Sequence, residues 1–260
     1  MIPSPTPSVI QPRKHQQLAI AEGAVLDVRR AIWVPSEQVL AVADLHLGYA
    51  WAQRRRGLLL PVEGVEDTAV RLQELIGDYQ PRQLVVLGDI VHQVSQIPML
   101  ESLLSDLCRR LARDCELVFC RGNHDQKLET LIAAQSLPVR LVDEWHTGNW
   151  RWLHGDHPES VSTLRLESTS SMVAMGHEHP CLRLEDGMAS SIKVPCFLVS
   201  ERLVILPAFS HWAAGSVIGQ RPFLGSRARE VSFQSVYACM GHRLLEMPWK
   251  AALRANHPTS

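Results

Sequence analysis

The sequence predicts an α/β chain in which two sheets pack face to face with helices outside. Three observations carry this. Buried-strand runs alternate with helix-period segments over the first half, short strand-like runs follow one another over the second, and no linker divides the two.

The elements follow in order. Residues 1–17, MIPSPTPSVIQPRKHQQ, are Pro/Ser-rich and lack an apolar h-region. They read as a flexible tail and not as a secretory signal, which leaves 18–260 as one domain. VLAVAD (39–44), LVVLGD (84–89) and LVFCRG (117–122) read as buried strands, each ending in polar or Gly residues. Between them Val65, Ala69, Leu72 and Ile76 recur at helical spacing, as do Leu100, Leu103, Leu104, Leu107 and Leu111. That order implies a parallel sheet with right-handed crossovers. From about residue 139 the runs WRWLHG, MVAMGH, PCFLVS, LVILPAF and FQSVYACM succeed one another, with turns at Asp186-Gly187 and Glu201-Arg202. This half reads as β-rich and largely antiparallel.

Composition narrows the function. The 260 residues are 46% hydrophobic and 20% charged, with a net charge of −1, which excludes a disordered, collagen-like or coiled-coil chain. Bulk charge supplies no steering field for nucleic acid, so any such contact needs a local patch. Four of the 26 basic residues are Lys, and the Arg excess suits bidentate phosphate contacts or reflects coding bias. No run of 18 apolar residues occurs, so no membrane span is expected. Six scattered cysteines without a CxxC pair read as free thiols in a reducing cytoplasm.

The polar residues at the strand ends form a series. Asp44-Leu45-His46 follows the first run, Gly88-Asp89 the second and Gly122-Asn123-His124-Asp125 the third. His154 follows WRWL, and Gly176-His177-Glu178-His179 follows MVAM. Ligands bind at the carboxyl ends of strands in open α/β sheets, so five clusters converge on one place. Two Asp, one Asn and four His supply oxygen and imidazole donors with no thiolate. That set suffices for two divalent ions sharing a carboxylate, and its softness favours Mn, Fe, Zn, Co or Ni over Ca or Mg. Two ions roughly 3.5–4 Å apart form a clamp for in-line displacement at phosphorus. The Gly before each cluster suits close backbone approach.

The ordered series D-x-H, G-D, G-N-H-D, H, G-H-x-H resembles the calcineurin-like metallophosphoesterase superfamily. The resemblance implies a four-layer α-β-β-α sandwich of two mixed sheets and a dinuclear metal site, with manganese leading the candidate ions. It implies that Asp44, His46 and His179 bind one metal, that Asn123, His154 and His177 bind the other, and that Asp89 bridges them. His124 is then the general acid, with Asp125 orienting its ring, and a hydroxide held between the ions attacks phosphorus in line.

ADLHLG (43–48), RRRGLLLP (54–61), LVVLGDIVH (84–92), GNHD, GHEHP, VPCF (194–197) and LPAFSHWAAG (206–215) extend the resemblance over residues 20–248. They are similar to the bacterial ligase-associated DNA-damage-response phosphoesterases, a group related to SbcD-type nucleases. This implies a DNA-repair nuclease with an ATP-dependent DNA ligase and a DEXH helicase as partners. His92, in GDxxH, leans the reading from phosphomonoesterase to phosphodiesterase. It reads either as a substrate contact or as a hydrogen-bonded histidine behind the ligands.

Other residues keep two readings. Arg54, Arg55 and Arg56 are a phosphate-backbone contact or a solvated basic loop. Arg121 approaches substrate or pairs with a carboxylate. Trp51 and Trp212 stack a base or pack the core, and His211 lines the pocket mouth or lies apart. His157 competes with His154, which the strand end favours. Three functions follow: a phosphodiesterase acting on DNA, a phosphatase or nucleotide phosphodiesterase for small molecules, and a non-catalytic scaffold. The intact ligand series speaks against the last.

Overall fold

The computed structural model of the chain describes residues 15–20, 23–55, 57, 64–92, 98–156, 171–185, 191–213 and 215–256. Arg56, His157, the Asp186-Gly187 turn and most of the expected tail lie outside them, as does the side chain of Arg55.

The first sheet has seven strands in sequence order: β1 (Gln17–Ala19), β2 (Val25–Asp27), β3 (Ala31–Val34), β4 (Val39–Ala43), β5 (Gln83–Leu87), β6 (Glu116–Cys120) and β7 (Val139–Val142). β1 to β4 pair antiparallel and β4 to β7 parallel. Gln17 thus begins a strand, although the composition placed it in a tail. The three runs read as central strands are all buried. They stop short of the polar residues, at Ala43, Leu87 and Cys120. Asp44 and Gly88 have φ of 55° and 76°, a conformation that cannot continue a strand.

The crossovers are helical, as expected. Helix α1 (Tyr49–Arg55) follows β4. In α2 (Gly64–Tyr79) Val65, Ala69, Leu72, Leu75 and Ile76 are buried, and Glu66 and Asp67 favour its first turn. It stops at left-handed Gln80, whose N–H donates to Ile76 O at 2.8 Å, and at Pro81 behind it. In α3 (Pro98–Leu111) Leu100, Leu104, Leu107 and Leu111 are buried. The short α4 (Leu128–Gln135) leads into β7.

The second sheet contains β8 (Glu144–Thr147), β9 (Trp150–Leu153), β10 (Met172–Met175), β11 (Pro180–Glu185), β12 (Ser191–Val199), β13 (Leu203–Ile205), β14 (Ser216–Val217), β15 (Ser235–Met240) and β16 (Arg243–Pro248). Its path is β14-β11-β12-β13-β10-β9-β8, with β15 and β16 added on β12. Helices α5 (Ser226–Glu230) and α6 (Trp249–Asn256) complete the chain. The antiparallel expectation needs correcting at three places, the first being β14, which pairs with β11 in parallel. β7 joins the first sheet, and β10 runs parallel to both β9 and β13. Residues 154–171 separate β9 from β10, a connection long enough for a crossover but not a hairpin.

Three cores separate four layers. One lies between α2, α3 and the first sheet, one between the sheets around Trp152, Phe197 and Val85, and one between the second sheet and the C-terminal helices. The α-β-β-α sandwich expected from the resemblance is the fold observed. Among the described residues no helix is long and apolar enough to cross a membrane, and all six cysteines are free.

One buried ion pair anchors the β2–β3 turn. Asp27 is fully buried and accepts from Arg29 Nη2 at 2.7 Å, Arg29 N at 2.8 Å and Tyr79 Oη at 2.7 Å. Burial raises its pKa, but these donors outweigh that and leave it below the usual carboxylate value. Its contribution is therefore complete above pH ~4 and is lost as pH falls through the lowered value. Asp27→Asn is expected to cost about 3 kcal/mol at pH 7, because Arg29 loses a buried partner. Urea unfolding checks this. The deficit against the parent protein should narrow only below pH ~4, and a constant deficit down to pH ~3 would sink the idea.

Candidate metal centre

Strand register brings the site together. Ala43, Leu87 and Cys120 are level in the first sheet, and Leu153, Met175 and Ile205 are level in the second. The loops that follow all leave from one edge of the sandwich. There the sheets are joined: His154 Nδ1 lies 3.0 Å from Leu87 O, and Phe209 N donates to Ala43 O at 2.7 Å.

Two donor groups meet at Asp89. In the first, His46 Nε2 lies 3.2 Å from His179 Nε2, and His179 Nε2 lies 3.3 Å from Asp44 Oδ1. Asp89 Oδ2 faces this group, 3.7 Å from His46 Nε2. One donor atom from each of Asp44, His46, Asp89 and His179 lies within 4.8 Å of the others. In the second group, His154 Nε2 lies 3.2 Å from Asn123 Oδ1, 3.1 Å from His177 Nδ1 and 3.6 Å from Asp89 Oδ1.

The arrangement suits a cation. A neutral His154 that donates from Nδ1 to Leu87 O presents a bare lone pair at Nε2. That lone pair confronts two oxygens and a nitrogen, and no proton can satisfy all of them. Asp44 and Asp89 are both buried, and burial plus the nearby Asp44 raises the pKa of Asp89. Burial also opposes the Asp44 carboxylate, but His179, His154 and His46 outweigh it and hold the group at about 2. Burial drives His46 down to about 3, against the pull of Asp44, so its imidazole is neutral and available as a ligand. Divalent ions fit this donor set.

The backbone is set for the task. Asp44, His46, Asp89, His177 and His179 all have φ between 45° and 67°. They make up five of the nine non-glycine residues with positive φ among the described residues. Such conformations cost roughly 1–3 kcal/mol each and collect at functional sites. The glycines allow close approach. A Cβ on Gly88 would collide with the His154 side chain at its Nδ1, and one on Gly176 would lie 2.7 Å from Asp44 Oδ2. A Cβ on Gly122 would collide with the backbone N of Asp89, which cannot rotate away. Gly122→Ala is accordingly expected to lower stability by about 2 kcal/mol and to reduce bound metal. Unchanged melting temperature and metal content in that variant would refute the packing argument.

The other expected site residues divide. His124 lies at the rim, its backbone N donating to Asp89 Oδ1 at 3.0 Å and its Nε2 3.9 Å from Asp89 Oδ2. His92 is half-buried and stacks on His124, with centroids 5.3 Å apart, and meets the Tyr49 ring edge-on at 4.8 Å. Asp125 does not orient the His124 ring. It is fully buried, and its carboxylate accepts from the backbone N of Gly122, Ile90 and Val91, tying the GNHD loop to the loop after β5. Burial raises Asp125 to about 6. Arg121 points away from the centre, to Glu129 and Asp143 at 3.3 Å each, because β6 ends with its side chain at the exposed edge. Arg54 is exposed on α1. Trp51, His211 and Trp212 line a narrow cleft that starts at His46 and Tyr49.

The sequence reading passed over Glu178. This buried residue between two ligand histidines accepts from Leu224 N at 3.0 Å and Gly225 N at 2.6 Å. It fixes the GHEH turn to the segment before α5. An acidic residue enclosed by two candidate ligands was the only local signal.

Residues 38–154 match the family model described as calcineurin-like phosphoesterase. This span holds every candidate ligand except His177 and His179. Among solved structures, the nuclease MPE of Pseudomonas putida is similar over 89% of this chain and 100% of its own, at 25% identity and a TM-score of 0.65. A protein of unknown function from Aquifex aeolicus is similar over 54% of this chain and 78% of its own, at 15% identity and a TM-score of 0.38. Curated proteins give no match.

Proposed function

We propose that this chain, a metal-dependent phosphoric ester hydrolase with the calcineurin-like phosphoesterase fold, is a dinuclear phosphodiesterase that cuts DNA. The carrying observation is the position of Asp89 between two donor groups, Oδ2 toward His46 and Oδ1 toward His154. Divalent ions held there, manganese foremost, would neutralise phosphoryl oxygens and lower the pKa of water. Asp44, His46 and His179 would hold one ion, Asn123, His154 and His177 the other.

The chain's own residues do the rest. His124, at the open rim, hands a proton to the leaving oxygen. Its backbone N–H keeps Asp89 in place. Asp125 fixes the loop that carries Asn123 and His124. His92, stacked on His124, limits how that ring can tilt. The similarity to a nuclease over the whole length of that protein supports a polynucleotide substrate. A setting in cytoplasmic DNA repair, with an ATP-dependent DNA ligase and a DEXH helicase as partners, joins this proposal through the resemblance of the motifs.

The test is Mn²⁺-dependent hydrolysis of bis-p-nitrophenyl phosphate against p-nitrophenyl phosphate. A marked preference for the diester supports the reading, and a preference for the monoester overturns it. The net charge of −1 favours a second reading, a small-molecule phosphatase or nucleotide phosphodiesterase. Salt separates the two, since polynucleotide binding weakens steeply with ionic strength.

A further inference from the structure

A second cleft, of about 230 Å³, opens beside His179. Arg30, Lys193, His211 and Trp212 contribute to its lining, and among the described residues no Asp or Glu does. Arg30 is unusual among the inward arginines. Arg29 has Asp27 and Asp78, and Arg71 has Asp67. Arg30 has no carboxylate partner among the described residues. Its Nη1 donates to Ala208 O at 3.0 Å and Ser210 O at 2.9 Å, and its Nη2 lies 3.5 Å from His211 Nδ1. Burial lowers its pKa, and the Cys239 thiol opposes the shift without reversing it. A guanidinium withdrawn from water without a counter-ion is costly unless an anion completes it. Lys193 reaches the same cleft, its Nζ donating to Gly215 O at 3.0 Å. The cation pair thus faces open space that begins at a metal-ligand candidate.

We propose that this cleft is a phosphate subsite, in which Arg30 and Lys193 hold the backbone phosphate of a nucleotide adjoining the scissile one. The assignment rests on the phosphodiesterase reading above and adds to it where the rest of the strand lies. His211 and Trp212 line both this cleft and the narrow one that starts at His46. The two clefts therefore adjoin at those residues, which gives a strand a continuous path past the centre. The subsite also supplies the local positive patch that a chain of net charge −1 needs for a polyanion.

The test is binding of a fluorescein-labelled phosphorothioate oligothymidylate to the manganese-loaded protein across a NaCl series. Lys193→Glu and Arg30→Gln are each expected to weaken binding about tenfold. Each should reduce the slope of log K against log salt by about 0.7, the share of one single-strand phosphate contact. Arg30→Lys, which keeps the charge, should retain the slope. Lys250→Glu, on exposed α6 outside the cleft, should match the parent protein. Arg30 also supports Ala208 and Ser210, so Lys193→Glu decides the matter should Arg30→Gln unfold. Parent-like affinity and slope in Lys193→Glu would overturn the subsite while leaving the nuclease reading intact. A parent protein that neither binds nor cuts oligonucleotides, yet hydrolyses the small diester, would overturn both.

Discussion

His124→Ala protein is expected to hydrolyse bis-p-nitrophenyl phosphate ~10²–10⁴-fold more slowly than the parent, with its metal content unchanged. The separation of the two effects follows from geometry. His124 is tied to the centre through its backbone N–H, which donates to Asp89 Oδ1 at 3.0 Å and survives the substitution. The imidazole is the part that is lost. Its Nε2 lies 3.9 Å from Asp89 Oδ2, and the side chain is 38% exposed, so the ring stands over the centre and open to substrate. The tight donor group of Asp44, His46, Asp89 and His179 does not include it. Turnover and metal per chain, measured on the same sample, check the assignment. Loss of metal would make the ring a ligand, and parent-like turnover would remove it from proton transfer.

Asp89→Asn is expected to be more damaging still, with metal content falling and turnover below that of His124→Ala. The two oxygens of Asp89 serve different groups, so an amide in its place presents NH₂ to one of them. A donor facing His46 or His154 repels the cation that those lone pairs need. The metal-free state should respond in the opposite sense. Asp44 and Asp89 are buried together, and removing one charge relieves their repulsion. The metal-free variant should then melt no lower than the metal-free parent, while added Mn²⁺ should raise the melting temperature of the parent alone. Two tightly held ions in the variant would refute a bridging Asp89.

Much of this molecule is legible in local pattern. Strands β4, β5 and β6 are unbroken apolar runs because they are covered on both faces, and α2 and α3 show apolar residues at helical spacing because they are covered on one. Each candidate ligand follows an apolar run, so a reader of the sequence finds it without knowing the sheet. The early ends of β4 and β5 have a local cause as well, since the positive φ of Asp44 and Gly88 stops the ladder there.

What the sequence alone determined is therefore the residue inventory of the centre, the alternating order of the first half and the glycines that let the loops approach. The tertiary structure decided the rest. The direction of β10, parallel to β9 and β13, depends on a crossover that period-two alternation does not encode. The jobs of Asp125, Glu178 and Arg121 depend on partners 3 to 47 residues away. Arg30 is the plainest case. No motif marks it, and only the meeting of the β2–β3 turn with residues 208–211 withdraws it from water beside the centre. Local patterning records which face of an element is buried. It does not record which distant backbone carbonyl or carboxylate a polar side chain will meet, because that contact exists only once both sheets are packed.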